Sequence, residues 1–362
     1  MSSMRKWRRL GAALAAGSLL LLAGCGGSGS SGPSASGSGS QPASGTTSKP
    51  FKVALVVNGT LGDKGFFDSA AAGLQRAHDE LGVDIKILQA DPKNPQEWLQ
   101  NLQSVSDGSY NLVITGSSQM KDNLTQVAKA APNQKFVYFD DTVDLPNIAN
   151  IIYKQNEGSY LAGVLAGLVT TDTKDFPLSK GSKVVGVVGG MDIPVINDFI
   201  VGFTQGVHSV DPGIRVLKSY VGDFSNPNKG YDQAKAMYDQ GADIVYAVAG
   251  GSGLGVLKAS ADANRYSIGV DSDQNGLYPG HVLASMVKRV DNSLFDMIKA
   301  AKDGTLQYGG KVYPYGLTNQ GVGLILDTKD VPASVQEQLK AAEQKVAGGQ
   351  IQVQTVTGAG GQ

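Results

Sequence analysis

The sequence contains very little cysteine and histidine. Among its 362 residues are one cysteine, Cys25, and three histidines, at positions 78, 208 and 281. The cysteine lies in an N-terminal segment, so the rest of the chain has no thiol for a disulfide bond or a thiolate metal site. No His-Glu-x-x-His and no Gly-x-Ser-x-Gly pattern occurs, which argues against zinc and serine hydrolases. We predict no metal site, no catalytic residue and no cofactor.

The chain also lacks an excess of charge of either sign, with 31 basic and 32 acidic residues. Four basic residues precede position 10, so the remainder is mildly acidic, with 27 basic residues against 32 acidic ones. Without a basic stripe to contact phosphates, we predict no nucleic-acid partner. Glycine, in contrast, is abundant, with 48 residues, as expected of a fold with many tight turns.

The N-terminus has the pattern of an export signal. Basic residues between positions 5 and 9 precede an apolar stretch at 10–22 and the run Leu22-Ala23-Gly24-Cys25. The apolar stretch is shorter than the roughly 20 residues of a membrane span, so we predict a signal peptide at 1–24. The run resembles the lipobox of bacterial lipoproteins, which implies that Cys25 is acylated and anchors the protein to a membrane face outside the cytoplasm. The alternative is an ordinary signal peptide with an incidental cysteine.

Residues 25–50 are predicted to be the lipidated cysteine and a flexible tether. Their glycine, serine and proline content is too high to bury a core. A coil of this length reaches on the order of 25–30 Å. The remaining 300 or so residues are enough for two lobes.

From residue 52 onward, short β-branched apolar runs alternate with amphipathic helix patterns. The predicted strands are 53–57, 84–88, 112–115, 136–139, 184–188, 214–217, 244–247, 267–270 and 322–326. The predicted helices are 70–81, 95–105, 121–130, 157–169, 228–240, 255–263 and 290–301. This alternation indicates an α/β fold of buried, mostly parallel strands with right-handed crossovers.

The strand–helix series occurs twice, which predicts two open parallel-sheet lobes. We assign 51–154 plus 290–318 to the first lobe and 155–289 plus 319–356 to the second, joined by a three-segment hinge. Ligands of open α/β sheets bind beyond the carboxyl ends of the strands. The predicted ligand site is therefore the cleft between the lobes.

The residues that follow the predicted strands include two phenylalanines, several carboxylates and one lysine. Phe66 and Phe199 suit a flat ring, because stacking is worth roughly 1–3 kcal/mol per base. A carboxylate such as Asp271 can accept hydrogen bonds from a vicinal diol, and a lysine such as Lys288 beside it would keep that carboxylate ionised. Each residue has a structural alternative: core packing for the phenylalanines, helix or turn capping for Asp271, and a surface position for Lys288. The glycines at 250–253 are also compatible with a simple tight turn.

Together these segments resemble the basic membrane protein family, substrate-binding lipoproteins that include purine-nucleoside receptors of ABC importers. The resemblance extends from residue 52 to about 326. The runs that carry it are Gly-Asp-Lys-Gly-Phe-Phe-Asp-Ser at 62–69, Asn-Glu-Gly-Ser-Tyr-Leu-Ala-Gly at 156–163, Val-Val-Gly-Gly-Met at 187–191, Ala-Gly-Gly-Ser-Gly at 249–253, Ile-Gly-Val-Asp-Ser-Asp-Gln at 268–274 and Ser-Met-Val-Lys at 285–288. It implies a type I periplasmic-binding-protein fold.

The resemblance also implies a role for each site residue. Phe66 and Phe199 would sandwich the base, and Asp271 and Lys288 would hold the ribose. Further polar contacts would come from Asp140 and the backbone near Gly251.

One position departs from the family pattern, because Phe67 stands where the family commonly has an asparagine that can bond the base edge. Asn58 is the candidate that would compensate for this loss. The departure leaves the exact base open, and a second aromatic ring is compatible with a larger flat ligand such as a flavin.

The function expected from these observations is a lipid-anchored, monomeric receptor that delivers a nucleoside to the permease subunits of an ABC transporter. Three alternatives remain at this point: a receptor for another flat ring, a ligand sensor without transport, and an extracellular nucleoside hydrolase. The hydrolase is disfavoured, because aspartate clusters alone do not indicate catalysis.

Overall fold

The structure is a computed structural model, and it describes residues 49–357. The predicted signal peptide, Cys25 and nearly all of the predicted tether lie outside the described residues. Within the described range, the helices are all too short or too polar to span a bilayer.

The described range contains twelve strands and nine α-helices. The strands are β1 (Lys52–Val56), β2 (Asp84–Leu88), β3 (Leu112–Gly116), β4 (Phe136–Phe139), β5 (Ile148–Tyr153), β6 (Val184–Gly189), β7 (Arg215–Tyr220), β8 (Ile244–Val248), β9 (Tyr266–Asp271), β10 (Val282–Lys288), β11 (Lys311–Tyr315) and β12 (Val322–Leu326). The helices are α1 (Phe66–Leu81), α2 (Pro95–Ser104), α3 (Lys121–Ala130), α4 (Gln155–Thr171), α5 (Pro194–Val210), α6 (Pro227–Asp239), α7 (Gly253–Asp262), α8 (Val290–Lys302) and α9 (Ala333–Ala347).

The strands form two six-stranded sheets. The first has the order β11-β5-β4-β3-β1-β2 and the second β12-β10-β9-β8-β6-β7. All neighbouring strands of the first sheet are parallel. In the second sheet only β12 is antiparallel, against β10. We call each sheet with its covering helices a lobe, the first lobe containing β1 and the second containing β6.

Every predicted strand and helix corresponds to an element of the structure, with ends that differ by a few residues. The structure adds five elements that the pattern does not predict: β5, β10, β11, α5 and α9. Strand β11 has the sequence KVYPY and is largely exposed. Its proline is tolerated because β11 lies at a sheet edge, where one row of backbone groups has no partner strand. Helix α5 is rich in β-branched and aromatic residues, and burial of one side of the helix outweighs their weak helix propensity.

Capping residues, prolines and a glycine mark the ends of several helices. Asn94 caps α2 by accepting a hydrogen bond from the Glu97 amide at 3.3 Å, and a proline occupies the first helical position. The same Asn-Pro pair begins α6, where Asn226 caps the helix. Helix α1 ends at Gly82, which has a left-handed φ of 64° that glycine adopts without strain. The two Asn-Pro loops occupy equivalent places in the two lobes.

Helices cover both faces of each sheet. Helices α1 and α8 pack together on the first sheet, and α2 with α3 covers its other face around Trp98 and Leu102. In the second lobe the pairs are α4 with α5 and α6 with α7. Because both faces are buried, most strands are apolar throughout, as expected for parallel sheets.

The chain passes between the lobes three times, at Lys154, at Arg289 and at residues 316–321. The Lys154 amide donates to the Tyr315 carbonyl at 2.8 Å, and the Arg289 amide donates to the Gly321 carbonyl at 2.9 Å. These hydrogen bonds hold the three crossings side by side on one side of the cleft.

Glycines allow α4 and α5 to approach backbone to backbone. A Cβ atom at Gly206 would lie 2.0 Å from the Tyr160 carbonyl oxygen, and one at Gly163 would lie 2.1 Å from the Phe203 carbonyl oxygen. These distances are far inside van der Waals contact. Any larger residue at either position must therefore push the two helices apart.

We predict that Gly206→Ala lowers the free energy of unfolding by about 1–3 kcal/mol, because the overpacked helices must separate. This loss is expected even though alanine favours helix more than glycine does. Gly276→Ala is the matched control, since a Cβ there meets no atom within 4 Å. Urea unfolding measures both variants, and equal stability of Gly206→Ala and the wild type would show that the close approach is not required.

Candidate functional site

The carboxyl ends of the two parallel sheets face each other across a cavity of about 430 Å³, a size typical of small-molecule sites. Every ligand-binding residue predicted from the sequence lines this cavity. These residues are Asn58, Phe66, Phe67, Asp140, Phe199, Gly251, Asp271 and Lys288. The strand-end rule therefore brings together side chains that are separated by up to 230 positions in the sequence.

The order of the strands in the first sheet determines how the first lobe's residues follow one another along the cavity. Asp140 and Ser117 directly follow β4 and β3, and Asn58 is the second residue after β1. The register pairs Val56 with Thr115 and Gly116 with Phe139, and its continuation places all three cavity residues in one row. Strands are about 4.8 Å apart, so Asn58 lies about 10 Å from Asp140 along the row.

The second lobe follows the same order. Lys288 ends β10 and Asp271 ends β9, next to the crossings, whereas Gly251 follows β8 and Met191 follows β6 further out. We call the end of the cavity beside the crossings, where Asp140, Asp271 and Lys288 lie, the charged end, and the opposite end its mouth.

Two phenyl rings enter the cavity from different lobes. Phe66 is the first residue of α1, is partly buried and packs against the Phe139 ring with centroids 5.3 Å apart. Phe199 lies on α5 and is only 2% exposed, yet it also lines the cavity. The Lys288 Nζ atom lies 5.2 Å from the Phe66 centroid and 5.4 Å from the Phe199 centroid. Neither phenylalanine is therefore a core residue remote from the cleft.

Phe67 adds a third ring, which meets Phe66 edge to face at 5.5 Å. A Cβ atom at Gly59 would lie 2.5 Å from the Phe67 Cε2 atom. Because Gly59 has no side chain, the Phe67 ring can occupy the space next to it. This part of the cavity wall is apolar.

Lys288 and Asp140 form a buried ion pair that joins the two lobes. Their side chains are 2% and 9% exposed, and the Lys288 ammonium donates to Asp140 Oδ1. Burial raises the pKa of Asp140, and the nearby Lys288 charge acts in the opposite direction. Lys288 is therefore a buried residue and not a surface lysine.

Asp271 behaves differently from the prediction that Lys288 would keep it ionised. Burial raises the pKa of Asp271 to about 7, the Lys288 charge only partly offsets this, and Asp63 and Asp140 raise it further. Within the described residues, no group donates a hydrogen bond to the Asp271 carboxylate. Lys288 pairs with Asp140 instead, so Asp271 is a buried acceptor that changes its protonation near neutral pH.

Three cavity residues at strand ends have an unusual backbone. Ser117, Asp140 and Asp271 have φ values of 75°, 75° and 67°, in the left-handed region that residues other than glycine rarely adopt. Such conformations persist only where the surrounding structure enforces them, and they concentrate at binding sites. At Asp271, the left-handed backbone argues against the alternative that this residue only caps a helix or a turn.

At the mouth of the cavity, the two lobes are bridged by an ion pair that the sequence analysis did not predict. Lys93, between β2 and α2, lies 3.2 Å from Asp223, between β7 and α6. The two residues belong to the equivalent Asn-Pro loops of the two lobes, and both line the cavity. Because the Lys93 side chain is 74% exposed, the pair contributes little, about 0.2–1 kcal/mol.

The lobes also touch beside the charged end. The Gln274 side chain donates to the Lys64 carbonyl at 2.9 Å, and the Ser272 hydroxyl donates to the Gly65 carbonyl at 3.3 Å. The two lobes therefore contact each other at both ends of the cavity.

The sequence analysis did not predict several other residues that line the cavity, although they too follow the ends of strands. Ser117 and Gln119 follow β3, and Phe224 follows β7, so the strand-end rule identifies these loops as well. Asp141, the neighbour of Asp140 in the sequence, does not line the cavity and pairs with Lys121 at 3.1 Å. In the described range, the histidine, aspartate and glutamate side chains form no cluster that could hold a metal.

Comparisons with known proteins identify relatives along the described range. The model of the Bmp family, described as ABC transporter substrate-binding protein PnrA-like, matches residues 51–357. The chain is 34% identical to the CD4+ T-cell-stimulating antigen of Listeria monocytogenes, over 85% of this chain and 89% of the relative. It is 30% identical to the ABC transporter nucleoside-binding protein BmpA of Lactococcus lactis, over 94% of this chain and 97% of the relative.

Among solved structures, a solute-binding protein of an ABC transporter system from Aeropyrum pernix K1 superposes with a TM-score of 0.76. The sequence identity is 26%, and the match covers 84% of this chain and 93% of the other. The predicted fold class, a type I periplasmic-binding-protein fold with two open sheets, is confirmed.

We predict that Lys288→Met lowers the free energy of unfolding of the ligand-free protein by about 3–5 kcal/mol, because it leaves the Asp140 carboxylate buried without a partner. Adding Asp140→Asn to the Lys288→Met variant should restore most of the lost free energy of unfolding. Urea unfolding of the wild type, the two single variants and the double variant measures the coupling. Simply additive losses would mean that the two side chains do not act as a pair.

Proposed function

The chain belongs to the Bmp family of PnrA-like ABC transporter substrate-binding proteins, and we propose that it captures a nucleoside between its lobes and delivers it to an ABC importer. The resemblance noted in the sequence is thereby confirmed. Members of this family are binding proteins rather than enzymes, so the hydrolase alternative falls away. The observation that carries the proposal is one cavity in which two phenyl rings from opposite lobes adjoin a buried, unpaired carboxylate.

The aromatic part of the cavity suits a purine or another flat base. Phe66 and Phe199 would stack on its two faces, each contact contributing roughly 1–3 kcal/mol. Because one ring belongs to each lobe, the ligand would gain its full stacking energy only when the lobes are together. Ligand binding would therefore favour the closed arrangement over an open one.

The charged end suits a ribose. The Asp271 carboxylate has no donor among the described residues and can accept bonds from two neighbouring hydroxyls. Lys288 and Asp140 would supply further polar contacts beside it, and the backbone at Gly251 would supply another. The similarity to a protein named as nucleoside-binding, BmpA of Lactococcus lactis, supports this assignment.

We further propose that acylation of Cys25 holds the protein on the outer face of the cytoplasmic membrane, where it would meet the permease subunits. The support is the Leu-Ala-Gly-Cys run after the apolar stretch. The tether that follows would let the receptor move between ligand capture and the permease.

A second candidate ligand is a larger flat ring such as a flavin. The observation that favours it is Phe67, which extends the aromatic wall and for which Gly59 leaves room. A ligand sensor that does not serve transport would use the same cavity, and a permease and an ATPase encoded beside this gene would favour transport.

We predict that Asp271→Ala weakens riboside binding by about 10- to 100-fold, as expected when charge-assisted hydrogen bonds of about 1.5–3 kcal/mol are lost. Calorimetric titration with adenosine, inosine and guanosine, each beside its 2′,3′-dideoxy analogue, measures this effect. In the wild type each dideoxy analogue should bind more weakly than its riboside, and in the variant the two should bind alike. Equal affinity of the wild type for both would remove the diol role of Asp271.

Riboside affinity should also rise with pH. The ligand-free pKa of Asp271 is about 7, and a diol donates best to the ionised carboxylate. At pH 6 most molecules must first lose a proton, whereas at pH 8 most are already ionised, so affinity should rise about tenfold between these values. Asp271→Asn should abolish the rise, and a pH-independent affinity in the wild type would contradict this account.

A further inference from the structure

A buried carboxylate lies next to Phe199 in the sequence but outside the cavity. Asp198, on α5, is 0% exposed and does not line the cavity. Within residues 49–357, it forms no ion pair with a basic side chain. Removing a carboxylate from water is costly unless a cation or hydrogen-bond donors replace the water. Asp198 therefore depends on neutral donors, and these donors have to stay in place.

The donors to Asp198 come from two parts of the chain. The Gln155 side chain, at the start of α4, donates to Asp198 Oδ2 at 2.8 Å. The Thr355 hydroxyl and the Val356 amide both donate to Oδ1, the amide at 3.0 Å. Thr355 and Val356 belong to an irregular segment at 351–357, which we call the strap. Two of the three donors that Asp198 has among the described residues thus come from the strap.

The strap is hydrogen-bonded to both α4 and α5. The Asn156 side chain on α4 donates to the Val353 and Gln354 carbonyls at 3.3 and 3.1 Å. The Gln205 side chain on α5 donates to the Gln352 carbonyl at 3.0 Å. The strap therefore links the two helices in addition to satisfying the carboxylate.

These contacts hold the part of α5 that carries Phe199. The N-cap residue of α5 is Ile193, whose side chain cannot accept a hydrogen bond. One turn after Asp198, Gly202 lies against α4, where a Cβ atom would be 2.3 Å from the Asn156 carbonyl oxygen. Asp198 joins the preceding turn of α5 to α4 and to the strap. Because Phe199 is the next residue on the same turn, a shift of this turn displaces its ring in the cavity.

Resting on the proposed nucleoside function, we propose that Asp198 and the strap are positioning elements that hold the Phe199 ring at stacking distance from the ligand. They lie outside the cavity and act through Phe199. A side chain that binds a ligand has to be held to within about 0.5 Å by the residues that support it. Without the donors of the strap, the buried carboxylate must turn toward water, which displaces the turn of α5 that carries the ring.

The test measures affinity and stability separately. Calorimetric titration uses whichever of adenosine, inosine and guanosine binds the wild type most tightly, and urea unfolding measures stability. Asp198→Leu should weaken binding about 5- to 30-fold, within the limit set by loss of the whole stacking contact. Thr355→Val, which removes one donor, should weaken it about three- to fivefold. Asp198→Asn keeps an acceptor for the strap and should stay within about twofold of the wild type.

A double-mutant cycle shows whether the effect passes through Phe199. In the Phe199→Leu background, Asp198→Leu should change the affinity by less than about twofold, because the ring that Asp198 positions is gone. A role of Asp198 in stability alone would leave the affinity of the folded protein unchanged in both backgrounds.

Asp243 provides the matched control. It is also 0% exposed and accepts hydrogen bonds from neutral donors, among them the Thr170 hydroxyl and the Lys180 amide, both at 2.7 Å. It directly precedes β8, at the end of the sheet away from the cavity. Asp243→Leu should lower the stability in urea, as Asp198→Leu does, and leave the riboside affinity unchanged.

The outcomes are distinct. Unchanged affinity in both Asp198→Leu and Thr355→Val, an equal loss of affinity in Asp243→Leu, or a full loss that persists in the Phe199→Leu background overturns the positioning role while the nucleoside function stands. Failure of every riboside to bind the wild type overturns the nucleoside function and the positioning role with it. If Asp198→Leu does not fold, Thr355→Val alone and in the Phe199→Leu background decides.

Discussion

The buried ammonium of Lys288 is the interaction on which the rest of the site depends. It ends a strand of the second lobe, pairs with Asp140 from the first lobe and contacts phenyl rings from both. An ammonium removed from water needs a carboxylate nearby, because its desolvation is otherwise too costly. The ends of β4 and β10 must therefore meet, which determines the width of the cleft between Phe66 and Phe199. The pair also occupies Lys288, so that Asp271 remains without a cation of its own.

Strand order then arranges the cleft. From the crossings to the mouth, the two sheets present the charged group around Lys288, the amide pair of Asn58 and Gln119, and the exposed Lys93–Asp223 pair. Along the first sheet, Asn58 lies two strand spacings of about 4.8 Å from Asp140, and β2, the strand before Lys93, lies one spacing further out. A ligand with a polar sugar at one end and a flat ring with a hydrogen-bonding edge at the other matches this order.

The sequence predicts the α/β architecture, and it locates the loops of the site because parallel strands carry a continuous apolar pattern that ends where the loop begins. It does not predict β11, whose proline and exposure belong to an edge strand. Nor does it predict that Lys288 pairs with Asp140, since that contact joins lobes separated by three crossings. The raised pKa of Asp271 depends on burial, which a local pattern does not reveal. Nor does the sequence predict the contact of Gln119 with Met191 of the opposite lobe.

The central claim is that a flat ring lies between Phe66 and Phe199. The most direct measurement is a thermal-shift series of the wild type, Phe66→Leu and Phe199→Leu with adenosine, inosine, guanosine and riboflavin, because a ligand that binds only the folded state raises the melting temperature. We expect at least one of these compounds to raise the wild-type melting temperature by several degrees and to raise that of either folded variant much less. A shift of the same size in both variants would contradict the account.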